Sequence, residues 1–387
     1  MYPTISDLLR DLIGIDIPLP IQSFGFMLAF SFFCAAWTLT LELRRKEKIG
    51  VFKPVVVKTL VGEPAKPIDL IWSFLFGFLV GFKLLYLALN YSEFVNDTQG
   101  VLLSSKGNFL GGLLGGLISA YARYREKSKA RLAKPEWKTE ELTPSQMVGN
   151  ITMVAAIAGL LGAKIFHNLE NIDDLIQDPI GSLISFSGLT MYGGLIVGGA
   201  AVIWYVRKNG MDPFHFADAT APGLMLAYGT GRLGCHISGD GDWGIVNTAP
   251  KPDWMGFLPD WFWTYNYPNN VINEGVPING CVGNHCMVLP EPVFPTPLYE
   301  SIACILLFAV LWSFRKRILI PGMLFAIYLI MNGVERFLIE KIRVNTQYHI
   351  GSLDITQAEI ISMVLFVLGV VGVVWLRRLP FKSDKSA

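Results

Sequence analysis

Apolar residues run along this chain in blocks of roughly twenty, the length an α-helix needs to cross a bilayer. Nine blocks stand out, at about 21–42, 69–90, 108–124, 147–168, 188–206, 215–238, 298–314, 319–339 and 356–376. The third, fifth and seventh are short. Together they predict an all-α polytopic membrane protein. Asp7, Arg10, Asp11 and Asp16 precede the first block and no small-residue cleavage site follows it. It is therefore expected to be a retained helix and not a signal peptide.

The polar residues between blocks predict the topology. Arg44, Arg45, Lys46 and Lys48 follow the first block, and Arg123, Arg125, Lys127, Lys129, Arg131 and Lys134 follow the third. Arg207 and Lys208 follow the fifth, Arg315, Lys316 and Arg317 the seventh, Arg377 and Arg378 the ninth. Every second junction is basic, and basic junctions face the cytoplasm. The N-terminus is then outside and the C-terminus inside. Segment 239–296 is acidic and rich in Trp, Pro, Asn and Gly. It is expected to be an ordered extracytoplasmic cap between the sixth and seventh spans. Trp243, Trp254, Trp261 and Trp263 there serve either the membrane interface or the cap's own core. Cys281 and Cys286 lie five apart in the cap, and an oxidising compartment favours a disulfide between them.

The pattern also repeats. Gly81-Phe82-Lys83 through Tyr86 resembles Gly162-Ala163-Lys164 through His167. Each stretch leads through a polar loop into a Gly-rich helix, at Gly111-Gly112-Leu113 and Gly193-Gly194-Leu195, and each copy ends in basic residues. This suggests a duplicated helical hairpin. The expected organisation is an N-terminal segment with the first span (1–68), an extra hairpin (69–125), a polar cytoplasmic linker (126–146) and a helical core carrying the cap (147–387).

Composition agrees. Hydrophobic residues make up 52% of the 387 and charged residues 16%, against about 25% charged in a soluble domain. Soluble enzymes, disordered chains and nucleic-acid binders are disfavoured. Net charge is +1, so only the placement of charges is informative.

An ionisable side chain inside a bilayer costs roughly 3 kcal/mol or more and marks a functional site by default. Arg232 and Arg336 each fall near the outer end of an outward-running block. Two guanidiniums there fit a lipid phosphate; the alternative is snorkelling or pairing with acids such as Glu340, one turn beyond Arg336. Lys83 and Lys164 read as snorkelling or salt-bridged, with Lys164 a possible addition to a headgroup site. Asp218 is expected to satisfy a helix start, and Glu300 to be either a dipole-stabilising acid or part of a site.

These stretches together resemble the prolipoprotein diacylglyceryl transferase family. Gly231-Arg232-Leu233-Gly234, Ser238-Gly239-Asp240 and Trp243-Gly244 resemble the family signature. Ser187 through Leu195, Asp218-Ala219-Thr220-Ala221-Pro222, Pro295 through Glu300, and Arg336 with Glu340 resemble its other elements, in the right order. The resemblance implies a bacterial inner-membrane enzyme, with its site toward the outer leaflet. It would transfer a diacylglyceryl group from phosphatidylglycerol to the lipobox cysteine thiol of a preprolipoprotein, without metal or nucleotide cofactor. Arg232 and Arg336 would stabilise the leaving phosphate, with Asp240 and Glu340 orienting them. Gly244 would allow close backbone approach.

The sequence departs from the family where the thiol is activated. Tyr192 stands where the family has His, and a phenol with an unperturbed pKa near 10 is a poor base at neutral pH. Cys235 and His236 replace the signature Asn and Phe. His236 and His167 are the local imidazoles, candidates for a base or for helix-end hydrogen bonding. Tyr299, in the Leu-Tyr-Glu element, is a candidate substrate contact. A paralogue with another acceptor, and a non-catalytic lipid-binding scaffold, are the alternatives.

Overall fold

The computed structural model describes residues 1–378 apart from 16, 20, 97, 133, 185–189, 346 and 351–352. A short amphipathic helix α1 (Ile5–Ile13) precedes α2 (Ser23–Lys48) and α3 (Pro67–Leu89). The short helices α4 (Tyr91–Asn96) and α5 (Thr98–Leu103) lead to α6 (Phe109–Lys129). Then come α7 (Val148–Glu170), the short α8 (Ile172–Gln177) and α9 (Pro179–Ile184), and α10 (Met191–Lys208). The remaining helices are α11 (Pro213–Ser238), α12 (Thr296–Phe314), α13 (Met323–Glu340) and α14 (Gln357–Arg378). A helix thus stands at each of the nine apolar blocks. Among the described residues, five are long and apolar enough to cross a membrane: α2, α3, α7 with its preceding turn, α12 and α14.

The chain is mostly helical, but three two-stranded antiparallel sheets join it: β1 (Val55–Val61) with β2 (Glu136–Leu142), β3 (Val276–Pro277) with β4 (Met287–Val288), and β5 (Gln347–Ile350) with β6 (Leu353–Thr356). The first corrects the expected linker. Helix α6 runs on to Lys129, and the segment beyond it folds back as β2 on β1, Leu60 opposite Trp137. Hairpin α3–α6 is therefore closed at its base by a strand pair. The segment's polarity hid a strand whose ladder, not a buried face, satisfies its backbone.

The two Gly-rich hairpins share their detail. A Cβ on Gly81 would lie 2.2 Å from the Gly111 carbonyl oxygen, and one on Gly162 2.5 Å from that of Gly193. Only glycine permits helices to approach so closely. The Asn108 amide donates to Phe82 O (2.9 Å), and the Thr190 amide to Ala163 O (3.1 Å). Asn90 and Asn171 each end their helix with an amide bonded to the carbonyl four residues back, at 2.9 and 3.0 Å. Lys83 differs from its expectation. Its ammonium donates to the carbonyls of Val101 (3.0 Å), Lys106 (2.8 Å) and Ser104, clamping a loop instead of snorkelling.

Helix α11 is the central element, packed against α2, α12 and α13. Its start is capped by Asp212, which accepts from the His215 amide at 2.8 Å. Asp218, expected in that role, instead serves a neighbour: it accepts from Gly322 N (2.8 Å) and Phe325 N (2.9 Å), capping α13. This fixes α13 against α11. At the opposite, basic end, buried Glu42 pairs with Arg45 (2.5 Å) and Arg315 (3.1 Å), tying α2 to α12. The cap has its own core of Trp243, Tyr267, Leu289 and Val293. Of the cap tryptophans, Trp243 is in that core while Trp254 is 73% exposed.

Candidate functional site

Where α11, α12 and α13 converge beneath the cap, three guanidiniums and three carboxylates interlock. Arg232, on the last turns of α11, pairs through Nε with Glu300 Oε2 at 2.6 Å and through Nη1 with Asp242. Arg336, on α13, pairs with Glu300 Oε1 at 2.7 Å and with Glu340 Oε2 at 2.9 Å. Arg343, just past α13, reaches Asp242 Oδ1 at 2.5 Å and Glu300 Oε1 at 3.3 Å. Glu300 is fully buried and touches all three arginines. The Arg232 guanidinium also stacks over Tyr228, 5.4 Å from the ring centre.

Backbone geometry holds this set in place. Gly239 and Gly241 have φ of +66° and +96°, a region glycine enters freely. They turn the chain out of α11 so that Asp242 points back at Arg232. Thr296 Oγ1 donates to Asp242 O at 2.9 Å, pinning the turn to the start of α12. Gly244 pairs as an isolated bridge with Arg343, and a Cβ on it would lie 2.4 Å from Ile342 O. The close approach expected of Gly244 thus positions Arg343.

Arg232, Arg336 and Glu340 are brought together as the sequence suggests. The Tyr192 hydroxyl lies beside Arg336, with Glu340 and Arg232 also near. The partner of Arg232 differs from expectation: it is Asp242, not Asp240. Asp240 accepts instead from the Asp242 amide (3.3 Å) and the Cys235 thiol. Burial, and then the charge of Asp242, push the Asp240 carboxyl above its usual range. Burial also pushes Asp242 upward, but Arg232 and Arg343 outweigh it and hold that carboxyl below its ordinary value.

Cys235 is buried, its Sγ 3.9 Å from Arg232 Nη1. His236 has its Nδ1 3.1 Å from the Tyr267 hydroxyl and meets that ring edge-on, anchoring α11 to the cap core. His167 bonds to Asn171 at the end of α7, a helix-end role (3.2 Å). Lys164 is half-buried one turn before it. Tyr299 donates to Phe262 O at 2.6 Å, joining α12 to the cap. Cys281 and Cys286 form the expected disulfide. Ser187, Gly188 and Leu189 lie outside the described residues.

Asp242 and Arg343 were not singled out in the sequence. Arg343 carries a usable signal: Arg336, Glu340 and Arg343 are spaced to share one helical face. Among the described residues, one group has metal-ligand spacing, Cys235 with Asp240 and Asp242, within 4.8 Å. Both Asp242 oxygens are already engaged by guanidiniums, whose charge opposes a cation. An anion suits the site better. Each guanidinium carries five N–H donors, and buried Arg343 Nε has no hydrogen-bond partner.

Comparison with known proteins matches the prolipoprotein diacylglyceryl transferase family over residues 128–375, which excludes α2 and the α3–α6 hairpin. A phosphatidylglycerol–prolipoprotein diacylglyceryl transferase of Symbiobacterium thermophilum is 28% identical over 251 residues, 62% of this chain and 81% of the relative. The like-named proteins of Corynebacterium diphtheriae and Enterococcus faecalis are 31% and 30% identical, each over 58% of this chain and over 76% and 73% of their own. The matched region contains all three arginines and the carboxylates that hold them, so the chain belongs to the prolipoprotein diacylglyceryl transferase family.

Proposed function

We propose that this protein transfers the diacylglyceryl group of phosphatidylglycerol to the cysteine thiol of a prolipoprotein. The arginine cluster carries this reading. In the reaction a thiolate attacks the glyceryl carbon that bears the phosphate ester. A C–S bond forms, the C–O bond breaks, and glycerol phosphate leaves with the electron pair. Negative charge develops on the leaving phosphate, where fixed cations stabilise the transition state more than the ground state. Arg232 and Arg336 face that phosphate, while Glu300, Glu340 and Asp242 hold their planes in register.

The chain crosses the bacterial plasma membrane nine times, N-terminus out and C-terminus in, with the cap and the site toward the outer leaflet. The basic junctions and the acidic cap support that orientation. Both substrates are lipid-embedded, so the preprolipoprotein signal peptide enters laterally between helices. The α3–α6 hairpin is a duplicate of α7–α10, as the matched glycine contacts and loop hydrogen bonds suggest. Residues 147–387 are the transferase core.

The test uses purified protein, phosphatidylglycerol and a lipobox peptide. Thioether product and released glycerol phosphate are expected, with both abolished in Arg232→Ala. Lipid binding without glycerol phosphate release would instead identify a scaffold. Accessibility labelling of single cysteines at 130 and 257 is expected to place them inside and outside respectively.

A further inference from the structure

The transferase reading needs a group that takes the proton of the acceptor thiol, and Tyr192 is a poor one. The structure places a different candidate beside the arginines. Glu335, on α13 immediately before Arg336, is 8% exposed, and neither carboxylate oxygen has a hydrogen-bond partner. Such a group is expensive to keep. The other acids around it are engaged: Glu300, Glu340 and Asp242 pair with arginines, and Asp240 accepts from Cys235.

Glu335 also lines a cleft of 610 Å³ between α12 and α13. The cleft is walled by Ala303, Leu306, Met331 and Leu338, with Tyr299 from the start of α12. Among the described residues that line it, Glu335 is the one carboxylate. A bilayer-embedded peptide segment presenting a thiol matches the cleft chemically: apolar contacts along its length and, just beneath the wall, the buried Glu335 carboxylate as proton acceptor. The groups facing Glu335 are Arg232 and Tyr228 on α11, Glu300 and Cys304 on α12, Tyr328 and Arg336 on α13, and Arg343 beyond it. Helix α14 packs on this part of α13 at Gly333 through Ser362 and Phe366, which do not titrate.

We propose that Glu335, in the α12–α13 cleft, accepts the proton of the acceptor cysteine as its sulfur attacks the lipid. The S–H bond breaks and the proton moves to a Glu335 oxygen. The sulfur electron pair forms the C–S bond, and the C–O pair departs with glycerol phosphate. The proton then passes from Glu335 to solvent. The inference rests on the transferase reading. It gives this chain a carboxylate in place of the imidazole that Tyr192 replaces.

The experiment measures thioether formation by wild type, Glu335→Gln and Glu335→Asp across pH 6 to 10, alongside phosphatidylglycerol binding. Glu335→Gln is expected to lose about 10²–10⁴-fold of the rate near neutral pH, the usual worth of a positioned base. It should bind the lipid as wild type does. Its rate should recover toward pH 10, where a thiol of pKa about 8.5 ionises unaided. Glu335→Asp should retain an intermediate rate. A Gln variant within threefold of wild type throughout, or one slowed equally at every pH, overturns the proposal. So does a Gln variant that has lost lipid binding while the Asp variant shows the same flat deficit. Wild type that yields no thioether overturns the transferase reading itself, and this inference with it.

Discussion

Glu300 offers the sharpest test of how the arginine cluster is held. It is fully buried and its two oxygens meet three guanidiniums, at 2.6 Å from Arg232, 2.7 Å from Arg336 and 3.3 Å from Arg343. Replacing it with Gln preserves shape but removes the central charge. Three buried cations would then share two partner carboxylates. Breaking a buried pair this way costs about 3–5 kcal/mol, because an uncompensated charge stays behind. Gln still accepts a hydrogen bond, which argues for the low end, about 3 kcal/mol of folding stability. Glu300→Gln is therefore expected to lower the thermal unfolding midpoint in detergent, and to slow glycerol phosphate release because the arginine planes lose the charge that aligns them. Adding Arg343→Gln removes the surplus cation and should restore part of the stability. Contacting residues couple by about 0.5–3 kcal/mol. A Glu300→Gln protein that unfolds and turns over within twofold of wild type would refute the argument. So would a double variant whose losses simply add.

Other predictions follow from single contacts. Gly244→Ala must place its Cβ 2.4 Å from Ile342 O and 2.8 Å from Thr296 Cγ2; it should displace Arg343 and cut turnover at least tenfold, read by glycerol phosphate release. Gly162→Leu, against Gly193 O, is expected to disturb Tyr192 and activity, whereas Gly81→Leu in the α3–α6 hairpin should leave turnover intact; equal losses would place the site differently. Cys281→Ser opens a loop whose closure is worth about 2 kcal/mol by chain entropy; faster proteolysis of the cap with turnover retained is expected. Asp242 and Asp240 should respond to pH with opposite sign. The lowered Asp242 contributes stability above the usual carboxylate range, lost as pH falls through its folded value. The raised Asp240 favours the folded state while protonated, and that contribution is lost as pH rises through its folded value. Asp242→Asn should thus weaken the protein at neutral pH and flatten its acid limb, while Asp240→Asn should stabilise it at pH 7 to 8, both read from unfolding midpoints.

Arg232 and Arg336 were legible because a guanidinium inside an apolar run is anomalous in any fold. The helices at the nine apolar blocks were legible from the length of those blocks, and among the described residues five of them are long and apolar enough to cross a membrane. What could not be read was the pairing. Asp240 and Asp242 are two residues apart in a Gly-rich turn, and composition does not say which faces Arg232; the left-handed Gly239 and Gly241 decide it. Glu300 has an ordinary explanation as a helix-start acid, and only the convergence of α11 and α13 on α12 reveals its three partners. Asp218 misled for a similar reason. Its carboxylate caps a helix, but the helix is α13, about a hundred residues away in the chain. Arg343 is less legible than Arg336 because it lies just past α13 and outside any apolar run, but its spacing from Arg336 and Glu340 is itself a signal. A basic residue one helical face beyond a paired Arg and Glu is held there by carboxylates, here Asp242 and Glu300. The two hairpins differ in their polar residues. Both have glycines that let their helices touch, but α10 alone has Tyr192 beside Arg336, and the polar chemistry gathers around that hairpin.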